Sequence, residues 1–102
     1  QMSTFLFVML ILEAILTAYA IVAAMLSDEE DAATTFVGGI IRLVLVILAC
    51  VFGGLWATVI GIIYGAVGNG FGFLYSAVKK NEIKTMVCLV FMVLFIVALA
   101  NN

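Results

Sequence analysis

The 102-residue sequence contains no histidine, no proline, two cysteines and few charges, four of them basic and six acidic. Without histidine, the chain lacks the commonest metal ligand and the side chain best suited to proton transfer near neutral pH. Without proline, nothing forces a helix to break. Four cations and a net charge of −2 also exclude the basic surface that a free-standing duplex-binding domain needs.

Apolar residues, in contrast, make up 68% of the chain, and charged residues only 10%. Soluble globular proteins are about 45–50% apolar and about 25% charged, so this composition excludes a soluble monomer. Motifs of enzymatic chemistry are missing as well. The sequence has no Cys-x-x-Cys pair and no phosphate-binding G-x-x-x-x-G-K-[ST] loop, and the glycines from Gly68 to Gly72 lack the G-x-G-x-x-G spacing. We therefore do not expect an enzyme.

The few charges divide the chain into long apolar runs. The first run extends from Phe5 to Leu26 and contains one charge, Glu13, while the last, from Thr85 to Asn102, contains none. About 20 apolar residues span a hydrocarbon core, so each run predicts a transmembrane helix. Ser3, just before the first run, is a candidate N-cap.

The middle run is too long for one simple span. It extends from Leu43 to Val78 without a charge, which as a helix is about 54 Å, against a hydrocarbon core of about 30 Å. Two arrangements fit: two short helices meeting at a glycine turn, or one long helix covered by many neighbours. Because the run shows no water-exposed polar turn, we predict one long, bent central helix. The predicted fold is a single all-α domain over residues 1–102, with helices at about 4–26, 36–78 and 84–100.

Small residues recur along this central run at helical spacing. Steps of three and four residues place them all on one helical stripe: Gly54, Ala57, Gly61, Gly65, Gly68 and Gly72. Such a stripe lets another backbone approach closely, which is how helices associate within lipid. The neighbour is either another helix of the same chain or a second subunit.

Two charged breaks separate the runs and differ in sign. Residues 27–31 (the acidic loop) carry four acids, and residues 79–84 (the lysine turn) carry three lysines and one glutamate. The positive-inside rule places the lysine turn on the cytoplasmic side. With three helices, the acidic loop then lies on the opposite side.

Glu13 and Arg42 are the charges inside apolar segments. An ionisable group within a membrane helix usually faces a partner, a cavity or a proton path. In a hairpin of the first two predicted helices, the two residues miss each other by about 10 Å along the axis. A direct bond between them is therefore expected only between subunits. Alternatively, Arg42 extends to a lipid phosphate instead of to Glu13.

Lys79, Lys80 and Lys84 form the basic cluster of the chain. Either they set topology and bind lipid phosphate, or, repeated by symmetry around a tube, they line a lumen suited to a polyanion. Cys50 and Cys88 are too far apart along the predicted hairpin for a disulfide within the chain, so free thiols are expected, with a bond between subunits left open.

The C-terminal part of the sequence resembles a known family. A glycine-containing apolar helix from Gly70 to Val78, a lysine-rich turn with an asparagine inside it, and a final apolar helix to Ala100 resemble the conjugative pilins of type IV secretion systems, including the related archaeal DNA-import pilins. The resemblance covers roughly Gly54 to Ala100. A chain starting at Gln1 is also similar to a mature product after leader removal.

The resemblance implies a small helical subunit that waits in the cell membrane and is then extracted into a hollow helical filament at the cell surface. It implies that Lys79, Lys80 and Lys84 face the lumen and lipid phosphate, and that phospholipid is a structural component. The implied partners are many copies of the same chain, membrane lipid, the secretion or import machinery, and single-stranded DNA passing through the lumen. The long first helix and the acidic loop depart from the family's compact pattern.

Two other functions share features of this sequence. A rotor-ring or small ion-channel subunit would use Glu13 as its ion or proton site. Against it, the glycines and the carboxylate of this chain lie on different predicted helices, and the chain has one helix more than the rotor hairpin. A small multidrug-type exporter also carries a glutamate in its first helix, and it needs four clear spans.

Overall fold

The computed structural model of the chain describes residues 2–28 and 30–102, and over these residues the fold is all-helical, as predicted. Four helices alternate in direction along a molecule of 41 × 24 × 15 Å. They are α1 (Thr4–Met25), α2 (Ala32–Phe52), α3 (Gly54–Val78) and α4 (Glu82–Ala100). Each is long and apolar enough to cross a membrane.

The predicted central helix over 36–78 is wrong, because the chain reverses direction at Gly53. Gly53 has φ +64° and ψ −154°, and Gly54 has φ +58°. Side chains make positive φ costly, so two consecutive glycines allow a reversal that most other residues would resist. The turn needs no polar side chains: the Gly53 amide donates to the Ala49 carbonyl at 2.9 Å, and the Gly53 carbonyl accepts from the Ala57 amide at 3.2 Å.

The outer helices correspond closely to the predicted first and last runs. α1 begins after Ser3, whose hydroxyl accepts from the Leu6 amide at 3.2 Å as an N-cap. The amide of Ser3 in turn donates to Oδ1 of Asn102 at 2.7 Å. The two ends of the described chain therefore lie together, at the same end of the bundle as the Gly53 turn.

The bundle is built from two helical hairpins. α1 packs along α2, α3 packs along α4, and α1 also contacts α4, which joins the hairpins. The core lies where they meet, and its buried members are Leu6, Met9, Leu10, Val46, Ala49, Ala57, Ile60, Phe95 and Ala98. Outside this core, large apolar side chains of all four helices remain exposed. In α2, only 11% of the residues in its most apolar stretch are buried, the smallest share of the four helices.

Three of the six predicted stripe positions, Gly61, Gly65 and Gly72, are covered by α4 of the same chain. A Cβ on Gly65 would lie 2.3 Å from Cδ1 of Phe95, one on Gly61 would lie 3.1 Å from Cδ2 of Leu99, and one on Gly72 would lie 3.0 Å from Sγ of Cys88. Of the two partners that the sequence allows, the structure thus shows the intrachain one. The remaining stripe positions lie in the Gly53 turn (Gly54), in the core (Ala57) and near Nη2 of Arg42 (Gly68). Packing between subunits is therefore not needed to explain the stripe.

The even number of helices brings the two charged breaks to the same end of the bundle. Glu30 and Asp31 of the acidic loop line one cavity together with Lys79 and Lys84 of the lysine turn. The expectation that these breaks lie on opposite sides is therefore wrong, because it depended on three helices. Of the other two acids of the loop, Asp28 is exposed and Glu29 lies outside the described residues.

Candidate functional site

Glu13 and Arg42 form an ion pair within one chain. Arg42 Nη2 donates to Oε2 of Glu13, in contrast to the predicted mismatch of about 10 Å. The mismatch assumed that the second helix starts at residue 36, whereas α2 starts at Ala32, which places Arg42 about one helical turn deeper. The flexible arginine side chain spans the rest of the axial distance between the two residues. The pair thus needs no second subunit, and Arg42 does not have to extend to lipid phosphate.

A π-helical segment of α3, Gly61–Val67, supplies backbone acceptors to this pair. A π-helix is hydrogen-bonded from residue i to residue i+5, so its turns are wider than those of an α-helix. In this segment the Tyr64 carbonyl accepts from Nη2 of Arg42 at 3.2 Å. The Arg42 guanidinium also lies over the Tyr64 ring, 5.7 Å from its centroid. The positive charge therefore interacts with a carboxylate, a carbonyl and an aromatic face at once.

Asn69 completes the network, and its role was not predicted from the sequence. Its Nδ2 donates to Oε1 of Glu13 at 2.9 Å and to the Gly65 carbonyl at 2.6 Å. The available signal was an asparagine inside an apolar run, since such a polar group needs a partner in a membrane. We refer to Glu13, Arg42, Asn69 and the Tyr64 carbonyl as the buried polar network.

This network is closed rather than open to a passing ion. Glu13 is 3% exposed, and both of its carboxylate oxygens are bonded. The Arg42 side chain is 29% exposed, and its buried Nε has no hydrogen-bond partner among the described residues. Because each charge neutralises the other inside the span, the arrangement suits holding α1, α2 and α3 in register.

The residues of the lysine turn are all exposed, at one end of the bundle. Lys80 has φ +59°, which closes the turn tightly, and Asn81 caps α4 by accepting from the Lys84 amide at 3.2 Å. Nζ of Lys79 and Nζ of Lys84 lie 5.5 and 5.9 Å from the centroid of the Tyr75 ring. Lys80 does not line the cavity that Lys79 and Lys84 share.

The two cysteines form no disulfide within the described chain: Cys88 is buried and Cys50 is partly buried. Over the described residues, no group of three or more His, Cys, Asp or Glu side chains is placed to hold a metal ion. Comparison of the chain with protein-family models, curated proteins and solved structures gives no match.

Proposed function

We propose that this chain is a structural pilin subunit of a conjugation-type pilus for DNA transfer or import. It is inserted in the membrane before assembly and then joins a hollow, lipid-containing filament. The observation that carries the proposal is the contrast between the inside and the outside of the bundle. The two charges deep within the spans, Glu13 and Arg42, bind each other in the buried polar network. All four helices, in contrast, present exposed apolar side chains.

That contrast is what a packing subunit requires. In the membrane, lipid covers the exposed apolar faces, and in a filament neighbouring copies cover them. α2 has the smallest buried share of the four helices, and its Val37, Val44 and Val51 are half exposed or more. A bundle that already carries internally neutralised charges can move from one apolar environment to the other without exposing an unpaired ion.

The lysine turn gives the filament its polar inner surface. Lys79, Lys80 and Lys84 are exposed at one end of the bundle, away from the Gly53 turn. Repeated around a helical filament, the three lysines would supply the ammonium groups of a lumen that takes lipid phosphates and the phosphates of single-stranded DNA, beside the acids of the neighbouring loop. Analysis of sheared filaments distinguishes this proposal from a role confined to the membrane.

The alternative of a rotor-ring or ion-channel subunit depends on Glu13 exchanging an ion or proton. A small multidrug-type exporter needs an accessible carboxylate too, although the chain does have the four spans that such an exporter requires. The 3% exposure of Glu13 and its bonds to Arg42 and Asn69 favour a scaffold over either transporter. Ion transport that is lost on carbodiimide labelling at Glu13 would reverse this preference.

Shearing filaments from cells that produce the chain tests the pilin directly. We expect peptide mass spectrometry to identify this polypeptide as the main protein of the sheared filaments, with a second pool in the membrane fraction. Deletion of its gene should remove the filaments. If the polypeptide stays wholly in the membrane fraction while filaments are still produced, the proposal fails.

Reversing the charge of the lysine turn tests its role in the lumen. The triple variant Lys79→Glu, Lys80→Glu, Lys84→Glu should weaken association with lipid phosphate by roughly a hundredfold, at about 1 kcal/mol per lysine. DNA passage should fall with it, while membrane insertion, measured by protease protection, changes less. Glu82→Gln, in the same turn, is the matched control. Filaments of the triple variant that transfer DNA at the normal rate would contradict the lumenal role.

A further inference from the structure

A polar cavity lies between the acidic loop and the lysine turn. Its volume is about 660 Å³, and it lies at the end of the bundle where two helical hairpins emerge from the apolar region. The residues around it are Glu30, Asp31, Tyr75, Ser76, Lys79, Asn81 and Lys84. The lining therefore carries two carboxylates, two ammonium groups and one aromatic ring.

These opposite charges share the cavity without pairing. Across the described part of the chain, the ion pair found is Glu13–Arg42, and none joins the acidic loop to the lysine turn. Lys79 and Lys84 instead lie over the Tyr75 ring. Positive and negative groups held apart around a cavity are complementary to a ligand that carries both signs.

Ser76 provides an independent indication of a ligand. It lines the cavity, it is 1% exposed, and its buried Oγ has no hydrogen-bond partner among the described residues. Leaving a buried hydroxyl unpaired is costly, so such a group usually meets a polar partner. The hydroxyl has no surface open to the cavity as the side chain stands, so a phosphate oxygen close to Lys79 and Lys84 would accept its proton once the side chain turns toward the cavity.

We propose that this cavity binds a zwitterion in which a phosphate is joined by a short chain to an ammonium group, as in the headgroup of phosphatidylethanolamine. The phosphate lies between Lys79 and Lys84 and accepts from Ser76, and the ammonium lies between Glu30 and Asp31. Because the lining charges balance, a zwitterion is favoured over a purely anionic headgroup. The inference deepens the lipid role of the lysine turn and so rests on the proposed function, but it is tested without filaments.

The site's position favours a lipid over a free solute as the source of this group. The cavity lies at the ends of α3 and α4, both of which are long and apolar enough to span a membrane, and headgroups occupy this level in a bilayer. A soluble compound of the same chemistry, glycerophosphoethanolamine, separates the two sources experimentally. Comparable affinity for the soluble compound assigns the site to a free solute, whereas affinity for the lipid alone assigns it to the bilayer.

Native mass spectrometry of the full chain in detergent micelles, titrated with phosphatidylethanolamine or phosphatidylglycerol, tests the proposal. We expect phosphatidylethanolamine to bind about tenfold more tightly. The double variant Glu30→Gln, Asp31→Asn should remove this preference, with Glu82→Gln as the matched acidic control. Lys79→Gln should weaken the binding of both lipids, whereas Lys80→Gln, whose side chain does not line the cavity, should not.

Equal affinity for the two lipids in the unmodified chain would overturn the proposal. A preference that survives the double variant, or that Glu82→Gln removes equally, would overturn it as well. Ser76→Ala adds a check on the buried hydroxyl, since it should weaken lipid binding without changing the net charge. Failure here leaves filament formation untouched, so it is distinguishable from failure of the proposed function.

Discussion

Replacing Glu13 with glutamine is expected to destabilise the bundle by about 3–5 kcal/mol, the cost of breaking a buried ion pair by removing one partner. Glutamine keeps the size of the side chain, so the loss isolates the charge. Arg42 would then remain as an unpaired cation within a membrane span, where a single charge is costly. The free energy of unfolding in mixed detergent micelles measures the effect.

A double-mutant cycle separates the pair from its surroundings. Arg42→Gln alone should also destabilise, because it leaves the Glu13 carboxylate unpaired. The double variant Glu13→Gln, Arg42→Gln should lose clearly less than the sum of the two single losses, since neither charge remains. Glu82→Gln, at an exposed site, is the control and should change little. Strictly additive losses would show that the two side chains do not interact.

Replacing Gly65 with alanine should have the second large effect. The added Cβ would lie 2.3–2.6 Å from three atoms of the Phe95 ring, and that ring is fully buried. Overpacking of this kind costs about 1–3 kcal/mol, which outweighs the gain in helix propensity of up to about 1 kcal/mol. We expect a lower free energy of unfolding and a weaker association of α3 with α4.

Gly38→Ala is the matched control, because a Cβ at Gly38 meets nothing within 4 Å. This variant should be neutral or slightly stabilising. Adding Phe95→Leu to the Gly65→Ala chain should recover part of the loss, since the smaller side chain makes room for the new methyl group. If Gly65→Ala and Gly38→Ala are equally tolerated, α4 does not pack on the glycine stripe as described.

The sequence predicts the outer helices well because charges mark where they end. α1 and α4 follow apolar runs bounded by polar residues. The α2–α3 boundary carries no such mark: it consists of two glycines in an apolar run, and their positive φ values depend on the neighbouring helices. Polar residues and glycines are different signals for the end of a helix, and only glycine is present at Gly53.

The missed boundary at Gly53 explains the correction to the charged breaks, and the earlier start of α2 explains the correction to the ion pair. An extra reversal moves the acidic loop to the end that carries the lysine turn, and an earlier start of α2 brings Arg42 level with Glu13. Periodicity pointed to Gly61, Gly65 and Gly72, which lie against α4, but spacing alone could not say which helix covers them or that Gly54, Ala57 and Gly68 lie elsewhere. Asn69 and Ser76 were not predicted as site residues because a single polar residue in an apolar run does not reveal what it contacts.

Electron microscopy of the purified particle after detergent removal tests the central claim most directly. The account predicts helical filaments with a hollow lumen, built from this chain and containing lipid. Closed rings of fixed copy number, or particles that stay dispersed as small oligomers in the membrane, would contradict the pilin and favour a rotor-ring, channel or exporter subunit.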